Sequence, residues 1–500
     1  MKTVAQLAAA TMVKAAGGNL DTPVQGIYCD SRQVKPGGLF VAIPGLRTDG
    51  HLFIEDALRR GAVAVVVERA RPLPEGVAWL EVPSCRRALG DLAAAYFDYP
   101  ANSLRLYGVT GTNGKTTTTY LIAAVLEKAE VSCGLVGTTG VRLGKKWMVS
   151  AHTTPEANDL QELLHRMREE GLQAAVMEVS SHALELERVR GCTFDVGVFT
   201  NLTQDHLDFH PDMDSYLRAK AKLFQLLDPQ RKGRQYAVLN ADDPASEEIA
   251  KVARAPVVTY GLRKEAQVRA ENIVFGPKGA RMEVVWPEGR AELNLVLTGL
   301  FNVYNALAAW AVGWQEGLAP DLVAQALFGV KGVPGRFERV EAGQGFGVVV
   351  DYAHTPDGLA NVLRAARQLT SGRVIVVFGC GGDRDRGKRP KMGAIAAEGS
   401  DLAVITSDNP RSEDPDRIIQ DVLAGFLAVR TDGYLVEPDR YRAIELALLQ
   451  ARDGDLVLIA GKGHETYQII KDQVLPFDDR EVAREILGRM GYGSNPGGTN

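Results

Sequence analysis

Short apolar runs that end in glycine or polar residues recur along most of the chain. Between about residues 101 and 333, runs such as 104–110, 174–180, 195–202 and 235–240 alternate with stretches of helical periodicity. Strands that alternate with helices in this way are typical of a doubly wound sheet whose strands are mostly parallel. The sequence therefore predicts an α/β fold for this part of the chain.

A similar pattern starts afresh on both sides of this region. Near the N-terminus, short strands are predicted at 38–45 and 61–68 with a helix between them, and Pro100 marks a boundary. Residues 1–18 carry an apolar stretch interrupted by polar positions and predict an amphipathic helix. Beyond residue 333, four apolar strands each end in a polar or glycine-rich loop. These strands predict a second doubly wound, Rossmann-like domain.

Chain length and these patterns together predict three domains and a tail. Five hundred residues suggest about three domains at roughly 150 residues each. The expected divisions are a small N-terminal α/β domain at 1–100, a central domain with a mainly parallel doubly wound sheet at 101–333, a C-terminal Rossmann-like domain at 334–490 and a tail at 491–500. The tail is rich in glycine, serine, proline and asparagine, so we expect it to be disordered.

Composition and charge narrow the classes of function. Apolar residues make up 45% of the chain and charged residues 24%, as in ordinary globular proteins. The net charge of −5 offers no general attraction to nucleic acid or anionic lipid, and no apolar run reaches the ~18 residues of a membrane span. The five cysteines form no CxxC pair, so neither a disulfide framework nor a structural zinc site is expected. These features predict a cytoplasmic protein with no nucleic-acid partner and no membrane insertion.

The first motif that carries chemistry is a glycine-rich turn between a strand and a helix, GTNGKTT at 111–117. Backbone N–H groups of such a turn cradle phosphate oxygens, a lysine reaches the terminal phosphates and a hydroxyl ligates Mg²⁺. These roles fall to Lys115 and Thr116. The turn is shorter than the strict GxxxxGK[ST] pattern, but its strand–turn–helix context predicts a phosphate loop that binds ATP or a close relative.

A lysine stands on the apolar face of another predicted helix, in the segment SYLRAKAKLFQLL. Tyr216, Leu223 and Phe224 share one face at about 100° per residue. Lys220 lies in the middle of that face, whereas Lys222 points away. Burial lowers the pKa of a lysine, and a neutral amine can add CO₂ to become a carbamate that binds Mg²⁺. The pattern leaves open the alternative that the stem is covered while the amine reaches water.

Acidic and imidazole side chains follow two predicted strands of the central domain. Glu178 stands at the end of the run 174–180, and His206 lies shortly after the run 195–202. Combined with a phosphate loop, such residues predict a site for a metal-bound nucleotide.

The segment ITSDNPRSED at 405–414 ends an apolar strand in charged residues and a proline. Ligands of doubly wound sheets bind at the carboxyl ends of the strands. Asp408 and Asn409 suit an ammonium group, and Arg411 offers a planar fork to a carboxylate. We therefore expect a charged ligand to bind at this strand end.

Together these motifs resemble those of the Mur ligases, which build the peptide stem of peptidoglycan. The resemblance rests on GTNGKTT, MEVSSHAL, TNLTQDHLDFH, the AK at 219–220, FNVYN, GRFE, DYAHTPD and GCGGDRDRGKRP, in family order over about residues 26–480. DNPR and GKGHETYQ are similar to the loops of the members that add meso-diaminopimelate. The resemblance implies an ATP-dependent amide ligase that uses Mg²⁺ and acts on UDP-MurNAc-L-Ala-D-Glu and meso-diaminopimelate. We expect the chain to be a monomer.

The resemblance also implies a role for individual residues of each domain. For ATP, in the central domain and at its border with the C-terminal domain, it implies Gly111, Thr112, Asn113, Gly114, Lys115, Thr116, Thr117, Asn302, Asn305, Asp351, Tyr352 and His354. The implied catalytic residues are Lys115, Glu178, His206, Lys220 and Arg336, with Thr116 and Glu178 on one Mg²⁺ and His206 and carbamylated Lys220 on a second. For the UDP-sugar it implies Cys29 and Ser31 of the N-terminal domain, with a further loop at 46–48, and for the muramyl-dipeptide part it implies Thr153, Thr154, Ser180 and Arg188 of the central domain. For diaminopimelate, in the C-terminal domain, it implies Arg384, Asp408, Asn409, Pro410, Arg411, Gly461 and Glu465.

The implied reaction proceeds through an acyl phosphate. His182 and His210 are both candidates for a base, and the spacing selects neither.

Three other interpretations of the function compete with this one. A lysine-adding relative is disfavoured because lysine has no distal carboxylate for Arg411. Folylpolyglutamate synthase gives no reason for the N-terminal CDSR motif or for DNPR, and a non-catalytic nucleotide-dependent scaffold has no need of a buried Lys220.

Overall fold

The computed structural model describes residues 1–45, 48–69, 72–150, 152–228, 230, 232–263, 265–276 and 279–493. Within these residues the chain forms three larger β-sheets flanked by helices, which confirms the predicted α/β class. None of the described helices is long and apolar enough to cross a membrane. Most of the predicted tail, 494–500, and residues 46 and 47 of the loop at 46–48 lie outside the described residues.

The N-terminal region forms a five-stranded sheet with the order β2-β7-β6-β5-β4. Its elements are β1 Lys2–Thr3, α1 Val4–Ala8, β2 Ala15–Gly17, β3 Pro23–Val24, β4 Gly26–Tyr28, β5 Gly38–Val41, α2 Ile54–Arg59, β6 Ala62–Val67, β7 Ala78–Glu81 and α3 Cys85–Tyr96. The long amphipathic helix expected over residues 1–18 is wrong. The helix ends at Ala8, and β2 instead pairs antiparallel with β7, so the backbone hydrogen bonds of the sheet edge override the helical pattern.

The central region is built on an eleven-stranded sheet with the order β11-β10-β9-β12-β8-β13-β14-β15-β16-β17-β18. Its elements are β8 Arg105–Thr110, α4 Lys115–Lys128, β9 Cys133–Gly137, β10 Gly140–Leu143, β11 Lys146–Met148, α5 Ala157–Glu169, β12 Ala174–Glu178, α6 Ser181–Glu185, β13 Val196–Phe199, α7 Met213–Gln225, β14 Tyr236–Asn240, α8 Ala245–Val252, β15 Val257–Gly261, β16 Val268–Gly276, β17 Gly279–Trp286, β18 Gly289–Leu295, α9 Leu300–Gln315 and α10 Pro320–Gly329. The strands from β9 to β16 in this order run parallel, as predicted, and the outer ones run antiparallel.

Strand β8 lies inside this sheet and is buried on both faces. Tyr107 and Val109 pack into the core that contains α4 and α9, whereas Leu106 packs into the core on the other face, with α5 and α7. This alternation is the two-residue period of a strand. Between β12 and β13, β8 delivers the phosphate loop to the middle of the sheet edge.

The C-terminal region contains a six-stranded sheet with the order β19-β20-β24-β21-β22-β23 and a separate hairpin of β25 and β26. Its elements are β19 Glu338–Arg339, β20 Gly347–Asp351, α11 Pro356–Leu369, β21 Val374–Phe378, α12 Lys388–Gly399, β22 Leu402–Ile405, α13 Pro415–Leu427, β23 Tyr434–Val436, α14 Arg440–Gln450, β24 Leu456–Ala460, β25 Tyr467–Ile470, β26 Gln473–Pro476 and α15 Asp479–Arg489. Because β20 to β23 in this order are parallel, the loops after β20, β21, β22 and β24 meet at one edge.

A fully buried ion pair joins α14 to α15 beneath that edge. The guanidinium of Arg440 contacts the Asp479 carboxylate at 2.7 Å, with neither side chain exposed. It also donates to the carbonyl oxygens of Ser407 (3.3 Å) and Ala460 (3.0 Å), which precede the DNPR and GKGHE motifs.

Replacing Asp479 with alanine is expected to destabilise the C-terminal region by about 3–5 kcal/mol, because the buried guanidinium loses its counter-charge. For a domain of this size that loss corresponds to a decrease of roughly 10 °C in the Tm of the transition to which this region contributes. Calorimetry of the full chain measures the change. Glu481→Ala, at an exposed position of the same helix, is the control, and equal melting of the two variants would contradict the expectation.

Candidate active site

A cavity of about 1070 Å³ opens between the central and C-terminal sheets. Its wall combines the carboxyl ends of β8, β12, β13 and β20 with the loop after β21, which is where ligands of doubly wound sheets bind. The predicted residues on this wall are Thr112, Asn113, Gly114, Lys115, Thr116, Thr117, Thr153, Thr154, Glu178, Ser180, Arg188, His206, Asn305, Arg336, Asp351, Tyr352, His354 and Arg384. The structure therefore brings residues of three predicted ligand sets to one cavity.

The phosphate loop requires glycine for reasons visible in its packing. Gly111 has φ +149°, and a β-carbon there would overlap the hydroxyl of Thr200. Gly114 has φ +85° and precedes α4, and a β-carbon there would overlap Asn305 Oδ1. Lys115 Nζ donates to the carbonyl oxygens of Gly111 (3.0 Å) and Thr112 (2.8 Å), and its burial lowers the pKa of the amine. The loop thus holds a cation close to its own backbone.

Lys220 is buried as the helical pattern predicts, with only 1% of its surface exposed. Its Nζ donates to the carbonyl oxygen of Gly111 at 2.7 Å and lies 4.2 Å from the ring centre of Tyr216. Lys222 instead pairs with Glu185 at the surface. The alternative in which the Lys220 amine reaches water is therefore excluded. Burial, together with the charge of Lys115, lowers the pKa of Lys220 well below its usual value.

His206 lies beside Asp205, an aspartate that the sequence motifs did not indicate as a site residue. Its Nε2 is 3.4 Å from Asp205 Oδ2, and its ring contacts that of His182 edge-on at 4.7 Å. Burial lowers the pKa of His206 well below its usual value, so the imidazole is neutral and keeps a lone pair that a metal can use. The only sequence signal for Asp205 was its position next to His206.

Glu178 is buried at the end of β12 and is held by one residue. Its two carboxylate oxygens accept hydrogen bonds from the backbone N–H (2.8 Å) and the hydroxyl (3.1 Å) of Thr138. Thr138 also lines the cavity. Sequence reasoning missed it, because a threonine after a strand carries no signal of a partner forty residues away.

The donors around the cavity suit Mg²⁺ in their chemistry. A threonine hydroxyl and a carboxylate are oxygen ligands of the kind that Mg²⁺ prefers together with phosphates and water. No group of three or more His, Cys, Asp or Glu that could hold a metal occurs among the described residues. That result agrees with the predicted sets, since neither of them contains more than one such side chain. Thr116 and Glu178 therefore fit one Mg²⁺ shared with a nucleotide.

The two asparagines of FNVYN lie one behind the other on α9. Asn305 lines the cavity and accepts from the hydroxyl of Thr118 at 3.2 Å. Its amide donates to Asn302 Oδ1 at 3.1 Å, and Asn302 in turn donates to the carbonyl oxygen of Thr298 at 2.8 Å. Asn302 therefore supports Asn305.

Residues at the start of the C-terminal domain reach across to the phosphate loop. Arg336 donates to the Thr116 hydroxyl at 2.9 Å, and its guanidinium lies 4.5 Å from the ring centre of Tyr352. Asp351 accepts from the backbone N–H of Phe337 at 2.6 Å, and burial raises the pKa of Asp351 to about 6. His354 bonds to the carbonyl oxygen of Tyr352 at 2.8 Å. These contacts bring the two domains together at the end of the phosphate loop.

Three of the residues predicted for the UDP-sugar dipeptide, Thr154, Ser180 and Arg188, form a hydrogen-bonded cluster on the cavity wall. Thr154 donates to the carbonyl oxygen of Glu178 at 2.8 Å and accepts from the backbone N–H of Ser180 at 3.2 Å. Arg188 donates to the carbonyl oxygen of Thr154 at 3.2 Å and pairs with Glu156 at 2.7 Å. The cluster is therefore directly connected to β12.

The two N-terminal residues of this set lie off the cavity wall. Cys29 contacts Asn158 Oδ1 at 3.5 Å, at the start of α5, and burial raises the pKa of its thiol to about 12. Ser31 is buried at the start of a short 3-10 helix. Both therefore lie on the N-terminal domain, and Cys29 lies where that domain meets α5.

The residues predicted for diaminopimelate come together at the ends of β22 and β24. Asn409 donates to Glu465 Oε2 at 2.9 Å and accepts from Lys462 Nζ at 3.2 Å. The Oδ2 atom of Asp408 is buried and has no hydrogen-bond partner among the described residues. Gly461 has φ +120°, and a β-carbon there would press on this same oxygen. The loops therefore present a buried carboxylate oxygen to which no described residue donates a hydrogen bond.

The cationic members of this set, Arg411 and Arg384, contact backbone carbonyl oxygens of the neighbouring loops. Arg411 donates to the carbonyl oxygen of Gly382 at 2.9 Å, and a β-carbon on that glycine would overlap the carbonyl oxygen of Pro410. Arg384 is exposed and lines the large cavity, whereas the DNPR and GKGHE residues of this set lie off its wall. Sequence reasoning missed Lys462, which is fully buried, because a lysine between two glycines resembles an ordinary surface loop.

Three protein-family models match successive parts of the chain. They are the Mur ligase family catalytic domain over residues 23–97, the Mur ligase middle domain over 109–313 and the Mur ligase glutamate ligase domain over 335–463. The matched segments correspond to the three larger sheets.

Full-length relatives resemble the chain over nearly its whole length. A UDP-N-acetylmuramoyl-L-alanyl-D-glutamate–2,6-diaminopimelate ligase from Syntrophomonas wolfei is 51% identical over 470 residues, 94% of this chain and 96% of the relative. The enzyme of the same name from Geobacter metallireducens is 50% identical over 482 residues, 93% of this chain and 94% of the relative. A solved structure with that name matches with a TM-score of 0.68 and 33% identity, covering 98% of this chain and 99% of the other.

Proposed function

Since the chain belongs to the Mur ligase family, we propose that its cavity joins meso-diaminopimelate to UDP-MurNAc-L-Ala-D-Glu in the synthesis of peptidoglycan precursors. The chain is an ATP-dependent ligase that forms an amide on the γ-carboxylate of D-glutamate. The observation that carries this function is the arrangement of the phosphate loop, the dipeptide residues and Arg384 of the amino-acid set around one cavity.

The first step brings two anions together. A γ-carboxylate oxygen of D-glutamate attacks the γ-phosphorus of ATP, the bond to the β-phosphate oxygen breaks, and ADP leaves an acyl phosphate. Lys115 and Arg336 stabilise the charge that the transferring phosphoryl group carries. Mg²⁺ held by Thr116 and Glu178 would further neutralise the phosphate oxygens. Asn305, Asp351, Tyr352 and His354 position the nucleotide.

The second step forms the amide. The amine of diaminopimelate attacks the acyl carbon, loses a proton and expels inorganic phosphate. Asp408, Asn409 and Glu465 hold ammonium groups of the amino acid, and Arg384 and Arg411 pair with its carboxylates. Of the two candidate bases, His182 lines the cavity and its pKa is lowered to about 4 by burial, whereas His210 is buried against the Ser181 hydroxyl at 3.0 Å.

Lys220 is proposed to be carbamylated. Its buried amine, with the pKa lowered, is the neutral nucleophile that attacks the carbon of CO₂ and releases a proton. The resulting anion next to the Gly111 carbonyl would, with the neutral imidazole of His206, fit a second Mg²⁺. The carbamate also places a negative charge near Lys115, whose ammonium form it would attract.

One chain supplies every side chain proposed for this site, so we propose that it works as a monomer. Its substrates are small polar molecules, and their cytoplasmic pool is the proposed location of the reaction. We propose domain boundaries near residues 100 and 333. On this division the N-terminal domain binds the UDP-sugar, and the other two close on ATP and the amino acid.

Product analysis with an isotope label tests this function. The dipeptide substrate carries ¹⁸O in its γ-carboxylate and is incubated with ATP, Mg²⁺ and meso-diaminopimelate. An acyl phosphate requires one ¹⁸O atom to appear in the released phosphate, and mass spectrometry of the peptide product should show one added diaminopimelate. A tripeptide product with unlabelled phosphate would contradict the mechanism, and the absence of any tripeptide would contradict the function.

A further inference from the structure

A surface hairpin lies against the loop that carries the proposed amino-acid contacts. Its strands, β25 and β26, form a two-stranded sheet of their own, and β26 is exposed throughout. Gln468 on β25 differs from its neighbours in being buried, with 8% of its surface exposed. A buried polar side chain on a surface hairpin requires a hydrogen-bond partner.

The partners of the hairpin are the first two residues of DNPR. Gln468 Nε2 donates to the backbone carbonyl oxygen of Asp408 at 2.8 Å. The backbone N–H of Ile469 donates to Asn409 Oδ1 at 2.9 Å. The side-chain nitrogen of Asn409 is therefore turned toward Glu465, to which it donates a hydrogen bond. The hairpin therefore sets the orientation of both residues.

The hairpin also holds Arg411 in an unusual backbone conformation. Arg411 has φ +53°, which lies in the left-handed region that a residue with a long side chain rarely adopts. Its N–H donates to the carbonyl oxygen of Ile469 at 3.0 Å, and its own carbonyl accepts from the N–H of Lys471 at 2.7 Å. Such a conformation persists only where the surroundings impose it.

The Asp408 side chain shows why this positioning matters. Its Oδ2 is the buried acceptor that lacks a partner among the described residues, and the backbone carbonyl of the same residue is the group that Gln468 holds. Loss of that hydrogen bond would leave a buried carbonyl unsatisfied and free the loop to shift.

We propose that Gln468 is a positioning residue that determines specificity for diaminopimelate. It fixes Asp408 and, through the hairpin, the backbone of Arg411. The Asp408 carboxylate is then placed to bind an ammonium group of diaminopimelate while the Arg411 guanidinium binds the distal carboxylate of the same molecule. This inference rests on the proposed function, because it assumes that the loop binds the incoming amino acid.

Steady-state phosphate release from the full-length enzyme tests the inference. Gln468→Met keeps the length of the side chain but removes its donor, and Gln468→Glu places an acceptor against the Asp408 carbonyl. Gln473→Met, on the exposed strand of the same hairpin, is the matched control. The KM values for meso-diaminopimelate and ATP are measured, together with the ratio of kcat/KM for diaminopimelate to that for L-lysine.

We expect the KM for diaminopimelate to rise about tenfold in Gln468→Met, in line with the loss of a buried hydrogen bond, and further in Gln468→Glu. The KM for ATP should stay within twofold, the preference for diaminopimelate over lysine should fall, and Gln473→Met should match the parent. Parental values in both Gln468 variants, or an equal loss for ATP and both amino acids with a lowered Tm, would overturn the proposal. If phosphate release by the parent enzyme does not depend on diaminopimelate, that result would instead contradict the proposed function, and this inference with it.

Discussion

Replacing Lys220 with alanine is expected to lower kcat by about 10²–10³-fold, because the site loses the anion that we propose as a metal ligand during phosphoryl transfer. Formate or acetate added at high concentration should restore part of the activity, since a small carboxylate fits the vacated space and carries the same charge. The measurement is phosphate release by the variant with and without these acids.

Lys222→Ala is the matched control, because Lys222 lies on the same helix but pairs with Glu185 at the surface. Its kcat should stay within about twofold of the parent, as expected for an exposed ion pair. Undiminished activity in Lys220→Ala would contradict a role for this lysine in catalysis. Activity that is lost but does not respond to carboxylates would contradict the carbamate.

Replacing Arg411 with alanine is expected to reduce kcat/KM for meso-diaminopimelate by about 10²-fold or more, because the distal carboxylate of the ligand loses its charged partner in a partly buried site. The value for L-lysine should change little, since lysine has no carboxylate at that end. The kcat/KM of Arg411→Lys for meso-diaminopimelate should lie between those of the parent and of Arg411→Ala, because an ammonium keeps the charge but not the planar fork. Competition between the two amino acids measures the preference directly.

Arg417→Ala serves as the control, since Arg417 is exposed on α13 and belongs to none of the proposed sites. It should retain the parental preference. An Arg411→Ala enzyme that loses activity equally with both amino acids would show that the residue supports the loop without selecting the ligand.

The parts of the site that depend on local patterns could be predicted from the sequence. Lys220 was found because helical periodicity places it among apolar residues, and its 1% exposure confirms the pattern. The strand ends at Glu178 and Asp408 followed from apolar runs that stop at polar residues. In each case the signal lies within about ten residues of the side chain concerned.

The parts that depend on distant partners could not be predicted. Thr138 matters because it binds Glu178 on a neighbouring region of the sheet, and Gln468 matters because of a carbonyl sixty residues earlier. The long helix expected at the N-terminus failed for the same reason, since its last residues pair with β7 far along the chain. Hydrogen bonds between segments that are remote in sequence determine the structure at these positions, and no local sequence pattern indicates such bonds.

The amino-acid dependence of phosphate release from ATP tests the central claim most directly. The enzyme is supplied with UDP-MurNAc-L-Ala-D-Glu, ATP and Mg²⁺, and release is compared with meso-diaminopimelate, with L-lysine and with no amino acid. We predict steady release that depends strongly on diaminopimelate. Release that is as fast with lysine would contradict the selection by Arg411, and an enzyme that binds ATP but releases phosphate with neither amino acid would contradict its assignment as this ligase.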